Sequence, residues 1–107
     1  MTDFNDRQKG EERKFAMDAE TAFRVAARRN RLLGHWAAEK MGLGPEETEA
    51  YAKAVIQADF EEAGDEDVNR KVLGDLTSAG CDIDDAAVRA ALEEKSVEAK
   101  RQLMSES

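Results

Sequence analysis

The sequence predicts an all-α protein, a four-helix bundle with a flexible N-terminal arm, and three observations carry that expectation. Eighteen of the 107 residues are alanine, the strongest helix former, whose small side chain lets helices approach closely. A single proline, seven glycines and few β-branched residues leave little from which to build strands. Apolar side chains then recur every three or four positions in four successive stretches separated by Gly-containing turns, the spacing of helices with one buried face.

The arm comes first. From Phe4 to Lys14 the chain offers one large apolar residue, Phe4, and places Gly10 in the middle, so residues 1–14 bury too little to order themselves. Residues 15–107 form the bundle. Phe15, Ala19, Ala22, Phe23, Ala26, Asn30, Leu33, Ala37 and Met41 mark one face of a long first helix, which Gly42-Leu43-Gly44 ends. Pro45, Glu46 and Glu47 open the second, since proline suits a first helical turn and acids suit the positive end of the helix dipole. Tyr51, Ala54, Val55 and Ala58 give its stripe, and Gly64 closes it.

Asp65 is the expected N-cap of a third helix, with Glu66 and Asp67 in its first turn and Val68, Val72 and Leu76 on one face as far as Gly80. Asp84 caps the fourth, where Ile83 and Val88 are placed as a hydrophobic staple, and Val88, Leu92, Ala99 and Leu103 continue the apolar side. Short connections favour antiparallel neighbours, hence a bundle. The length suits one domain and excludes two independent cores.

Charge narrows the function. Acids outnumber bases 24 to 16, for a net charge of -8, which disfavours a general nucleic-acid binder. The excess is uneven: residues 1–31 hold eight bases against six acids, whereas residues 32–107 hold eight against eighteen. A basic arm therefore joins an acidic body. No apolar run is long enough to span a bilayer, and the polar, acidic opening is unlike a secretory leader, so a cytoplasmic location is expected. The lone Cys81 closes no internal disulfide, and packing is its expected role.

Several chemical motifs fail on their own spacing. Asp65, Asp67 and Asn69 match the first three ligand positions of a calcium loop, but Arg70 replaces the required glycine and Leu76 the final glutamate. Asp82, Asp84 and Glu93 fail similarly, with Ala86 and Ala87 at positions five and six. These acids read as helix caps and first-turn residues. His35 has no second histidine or cysteine cluster, so neither a metal site nor a catalytic site is expected.

The strip Ala27-Arg28-Arg29-Asn30-Arg31, followed by Trp36, is different. Guanidinium forks grip phosphate and an indole offers a flat face to a base, so Arg28, Arg29, Arg31 and Trp36 form a candidate nucleotide site. The alternatives are an exposed strip that pairs with the acidic helices while Trp36 anchors the core, or a nucleic-acid-binding or general adaptor module using Arg28–Arg31. In the arm, Arg7, Lys9, Arg13 and Lys14 alternate with Asp6, Glu11 and Glu12, which by itself reads as a solvated tail; as a segment that folds on a partner, it would have Phe4 and Phe15 at either end as apolar anchors.

Lys14-Phe15-Ala16, Ala27-Arg28-Arg29-Asn30-Arg31-Leu32-Leu33-Gly34, Trp36-Ala37-Ala38, Ala50-Tyr51-Ala52 and the block Ala58-Asp59-Phe60-Glu61-Glu62-Ala63-Gly64-Asp65-Glu66-Asp67-Val68 resemble the alphaproteobacterial zeta subunit of the F-type ATP synthase. The similarity runs in order from about Phe4 to about Leu103. It implies a non-enzymatic four-helix bundle that inhibits ATP hydrolysis by the catalytic head, formed by the alpha, beta and gamma subunits. It implies no required cofactor, with ADP or ATP as a regulatory ligand. The protein would then be cytoplasmic, peripheral to the inner membrane when bound and without direct membrane insertion. Carried onto this chain, it places the partner contacts at Phe4, Asp6, Arg7, Lys9, Arg13, Lys14 and Phe15.

Overall fold

A computed structural model describes residues 18–61 and 65–106. The arm, with Phe4, Asp6, Arg7, Lys9, Arg13, Lys14 and Phe15, lies outside these residues, as does Gly64. The described residues form four helices and no strand: α1, Ala19–Met41; α2, Pro45–Glu61; α3, Asp65–Ser78; and α4, Asp85–Glu106. Each helix runs antiparallel to the next, as contacts between Phe23 and Phe60, between Tyr51 and Asp75, and the successive pairs Asn69–Asp85 and Glu66–Arg89 show. The fourth returns alongside the first, with Arg28 meeting Gln102 and Glu106. α1 touches all three of the others.

The turns follow from local chemistry. Asp18, with extended backbone, accepts a hydrogen bond from the Thr21 amide at 2.7 Å and caps α1. That amide bond holds the exposed Asp18 carboxyl below its ordinary value. α1 starts at Ala19, because Asp18 supplies its N-cap; Phe15, where the sequence places the start of this helix, lies outside the described residues. At the other end, Gly42 adopts a left-handed φ of 74° and the Leu43 amide donates to the Ala38 carbonyl, closing the helix end in a geometry that costs glycine least. The Glu47 carboxylate folds back to accept from the Gly44 amide at 3.1 Å, the reciprocal half of a capping box, with Pro45 in the first turn of α2.

Asp84 caps α4 through the Ala87 amide at 2.9 Å, as expected. At Asp65 the expectation is corrected. It stands inside the first turn of α3, and its carboxylate is held by Arg29 of α1 at 2.8 Å instead of turning onto its own helix.

The core is made of small and medium side chains. Leu33 and Ala37 of α1, Val55 of α2, Val68, Val72 and Leu76 of α3, and Val88, Ala91 and Leu92 of α4 form one buried cluster, with Trp36, Met41, Tyr51, Cys81 and Ile83 packed against it. The predicted α1 face holds only in its second half. Ala19, Ala22 and Phe23 are exposed, and the buried stripe runs through Val25, Arg29, Asn30, Leu33, Gly34, Ala37 and Ala38. Phe23 instead lies against Phe60 of α2, with ring centroids 4.9 Å apart.

Candidate functional site

The three arginines of the candidate nucleotide site point in three directions, because consecutive residues on a helix are about 100° apart. Arg28 reaches α4, where its guanidinium donates to Gln102 Oε1 at 2.8 Å and to both carboxylate oxygens of Glu106 at 2.9 and 3.2 Å. Glu106 sits at the negative end of the α4 dipole, an unfavourable place for an acid, and the Arg28 hydrogen bond holds its carboxyl below the usual range.

Arg29 turns inward. It is 8% exposed, donates to Asp65 at 2.8 Å and to Asn30 Oδ1 at 2.9 and 3.1 Å, and lies 3.5 Å from Asp59. Asn30 Nδ2 donates to the same Asp59 oxygen at 2.9 Å. One guanidinium therefore ties α1 to the end of α2 and the start of α3, its charge met by two carboxylates and its donors by an amide oxygen. It is a fastening inside the bundle, not an exposed phosphate clamp.

Arg31 faces α2 and pairs with Glu49 at 3.0 Å. The second oxygen of Glu49 lies 3.1 Å from His35 Nε2, with no hydrogen bond formed between them. Trp36 packs on the core and presents its other side to an open groove of about 720 Å³ between α1, the α1–α2 turn, α2 and α4. His35, Glu39, Thr48, Glu49 and Lys95 supply its polar lining, while Leu32, Leu43 and Pro45 supply the apolar part. The Lys40 ammonium stands 5.3 Å from the Trp36 ring, within cation–π range.

The four predicted residues are thus not brought together. Only Trp36 lines the groove, and Arg31 borders it through Glu49. Glu49, Thr48 and Lys95 were missed by sequence reasoning, and no spacing signal points to them, because they reach the groove from helices distant in the chain. The alternative in which the basic strip pairs with acidic neighbours describes all three arginines, although Arg29 is buried where an exposed residue was expected. Among the described residues no group of three His, Cys, Asp or Glu side chains is placed to hold a metal ion. Cys81 is half-buried, its thiol 3.3 Å from the Lys40 carbonyl, which it helps to anchor.

Comparison with known proteins decides the family. The model for ATPase inhibitor subunit zeta matches residues 1–102, which includes the arm, the Arg28–Arg31 strip and all but the last residues of α4. The chain belongs to the ATPase inhibitor subunit zeta family. A solved solution NMR structure is 52% identical and superposes with a TM-score of 0.70, covering 79% of this chain and 96% of that one. No curated protein matches the chain at a significant level. Membership of the zeta family makes this a regulatory subunit associated with an ATP synthase, and no helix among the described residues is long and apolar enough to cross a membrane.

Proposed function

We propose that this zeta-family chain blocks ATP hydrolysis by lodging its N-terminal arm in the catalytic head of the F-type ATP synthase, between the subunits whose closure hydrolysis requires. The family match extending to residue 1 carries the reading, because it brings the arm into the inhibitor family along with the bundle. The arm binds the head with Phe4 and Phe15 as apolar anchors and Asp6, Arg7, Lys9, Arg13 and Lys14 as charged contacts along its length. The bundle, with its core closed and Arg28, Arg29 and Arg31 paired internally, positions the arm and takes no part in chemistry. Deleting residues 1–14 will abolish inhibition of the isolated head from the native source while helical circular dichroism persists, and full potency in the shortened protein would reject the arm as the inhibitory element.

We further infer that ADP or ATP modulates the subunit through the Trp36 groove. Arg28 and Arg29 would have to abandon carboxylates on other helices to reach a phosphate, whereas Trp36 already faces open space with Lys95 opposite and Arg31 behind Glu49. Since Trp36 is the sole tryptophan, its fluorescence will change during an ADP titration. That change will be lost in Lys95→Glu. An unchanged emission together with amide shifts confined to the Arg28 end of α4 would place nucleotide elsewhere. The adaptor reading based on nucleic acid gains nothing from the geometry, which distributes Arg28, Arg29 and Arg31 among three different partners.

A further inference from the structure

We propose that the Phe23–Phe60 face is a second contact with the catalytic head, receiving an apolar side chain flanked by a carboxylate on the head's surface; this rests on the reading that the arm binds there. Both phenylalanines of the described residues lie outside the core, which is filled instead by valine, leucine and alanine. Phe23 is 50% and Phe60 60% exposed, although their rings touch across the α1–α2 seam. Beside them an open groove of about 480 Å³ runs along α2 between Phe60, Ile56, Gln57 and Lys53. Its lining carries one cation and no carboxylate, in a chain whose net charge is -8. Paired exposed aromatics with few charges describe the centre of a protein interface more than an ordinary solvated surface.

Position selects the occupant. Phe23 follows the Asp18 cap by five residues, about 7.5 Å along the helix axis, so a partner that holds the arm is brought beside this face. A contact tethered in that way acts at high effective concentration and multiplies the affinity of the arm, even when it is weak alone. Lys53, which has no ion pair among the described residues, favours an acidic neighbour on the partner.

The test uses the full chain and the isolated head, measuring direct binding and hydrolysis at saturation. Phe23→Ser with Phe60→Ser will raise the Kd at least tenfold while leaving maximal inhibition intact, with thermal unfolding as the check on fold. Lys53→Glu, an exposed change that cannot disturb the core, will weaken binding several-fold, whereas Lys53→Arg will keep the wild-type affinity. By contrast, Phe4→Ser with Phe15→Ser will lower maximal inhibition. Wild-type affinity in both the phenylalanine and Lys53→Glu variants overturns the proposal even if the arm inhibits as described. Binding that weakens on these substitutions without any inhibition by the wild-type chain would sink the arm mechanism and support this surface. Self-association of the wild-type chain that Phe23→Ser and Phe60→Ser abolish, with unchanged affinity for the head, would show that a second copy covers the face and would overturn it.

Discussion

Gly34 of α1 crosses Ala52 of α2 so closely that a Cβ on the glycine would stand 2.7 Å from the Ala52 Cα. The neighbouring atom is backbone, so the helices themselves would have to part. Gly74 in α3 is the counterpart: exposed, with open space where its Cβ would be. Gly34→Ala will therefore destabilise by about 1–2 kcal/mol, an overpacking cost partly offset by helix propensity. Gly74→Ala will stabilise by about 0.5–1 kcal/mol. Thermal unfolding will show shifts of opposite sign for the same chemical change.

Replacing Arg29 removes the one cation shared by Asp59 and Asp65 and leaves the largely buried Asp59 with Asn30 alone. Arg29→Met will cost about 3 kcal/mol, as expected when one member of a buried ionic cluster is lost. Arg29→Lys will recover little, because an ammonium lacks the planar fork that reaches both Asn30 and Asp65. Urea midpoints with an unchanged slope will report both losses.

Acid will loosen the bundle at both ends of α4. The Arg89 hydrogen bonds lower the carboxyls of Glu66 and Asp85, with Asn69 adding to the effect on Asp85, and Arg28 does the same to Glu106. Depressed carboxyls contribute stability above their unfolded pKa values and lose it as pH falls through the folded ones, so stability will be full near neutrality and decline below about pH 4. Arg89→Gln will be less stable at pH 7 and will lose less on acidification; an identical slope in the two proteins would count against these pairs.

Tyr51 provides a spectroscopic check at the opposite end of the pH scale. Burial, followed by the 2.8 Å hydrogen bond to Asp75, pushes its phenol well above its ordinary value. A raised pKa in the folded state contributes stability below the unfolded value and loses it as pH rises toward the folded one. The sole tyrosine will therefore show no phenolate absorbance near pH 10 until the chain unfolds, and Asp75→Asn will bring its titration to lower pH.

The helix class, the four helices of the described residues, the Asp84 cap and the Pro45 start were legible because they depend on residues a few positions apart, where φ/ψ preference and capping act locally. Family membership was legible for a related reason, since its signature is a pattern of residues along the chain. The cap at Asp18 is not legible in the apolar period, which runs past it, because capping rests on a side-chain hydrogen bond from the Thr21 amide and not on periodicity.

What only the tertiary structure decided is where the charges go. Arg28, Arg29 and Arg31 form a single strip when written in a line, yet helical rotation directs them to α4, to the α2–α3 junction and to α2, where acids from far along the chain meet them. The same rotation left Phe23 outside while Arg29 went inside, and it assembled the Trp36 groove from Thr48, Glu49 and Lys95. Periodicity states which residues share a face; only the packing of one helix on another states what that face meets.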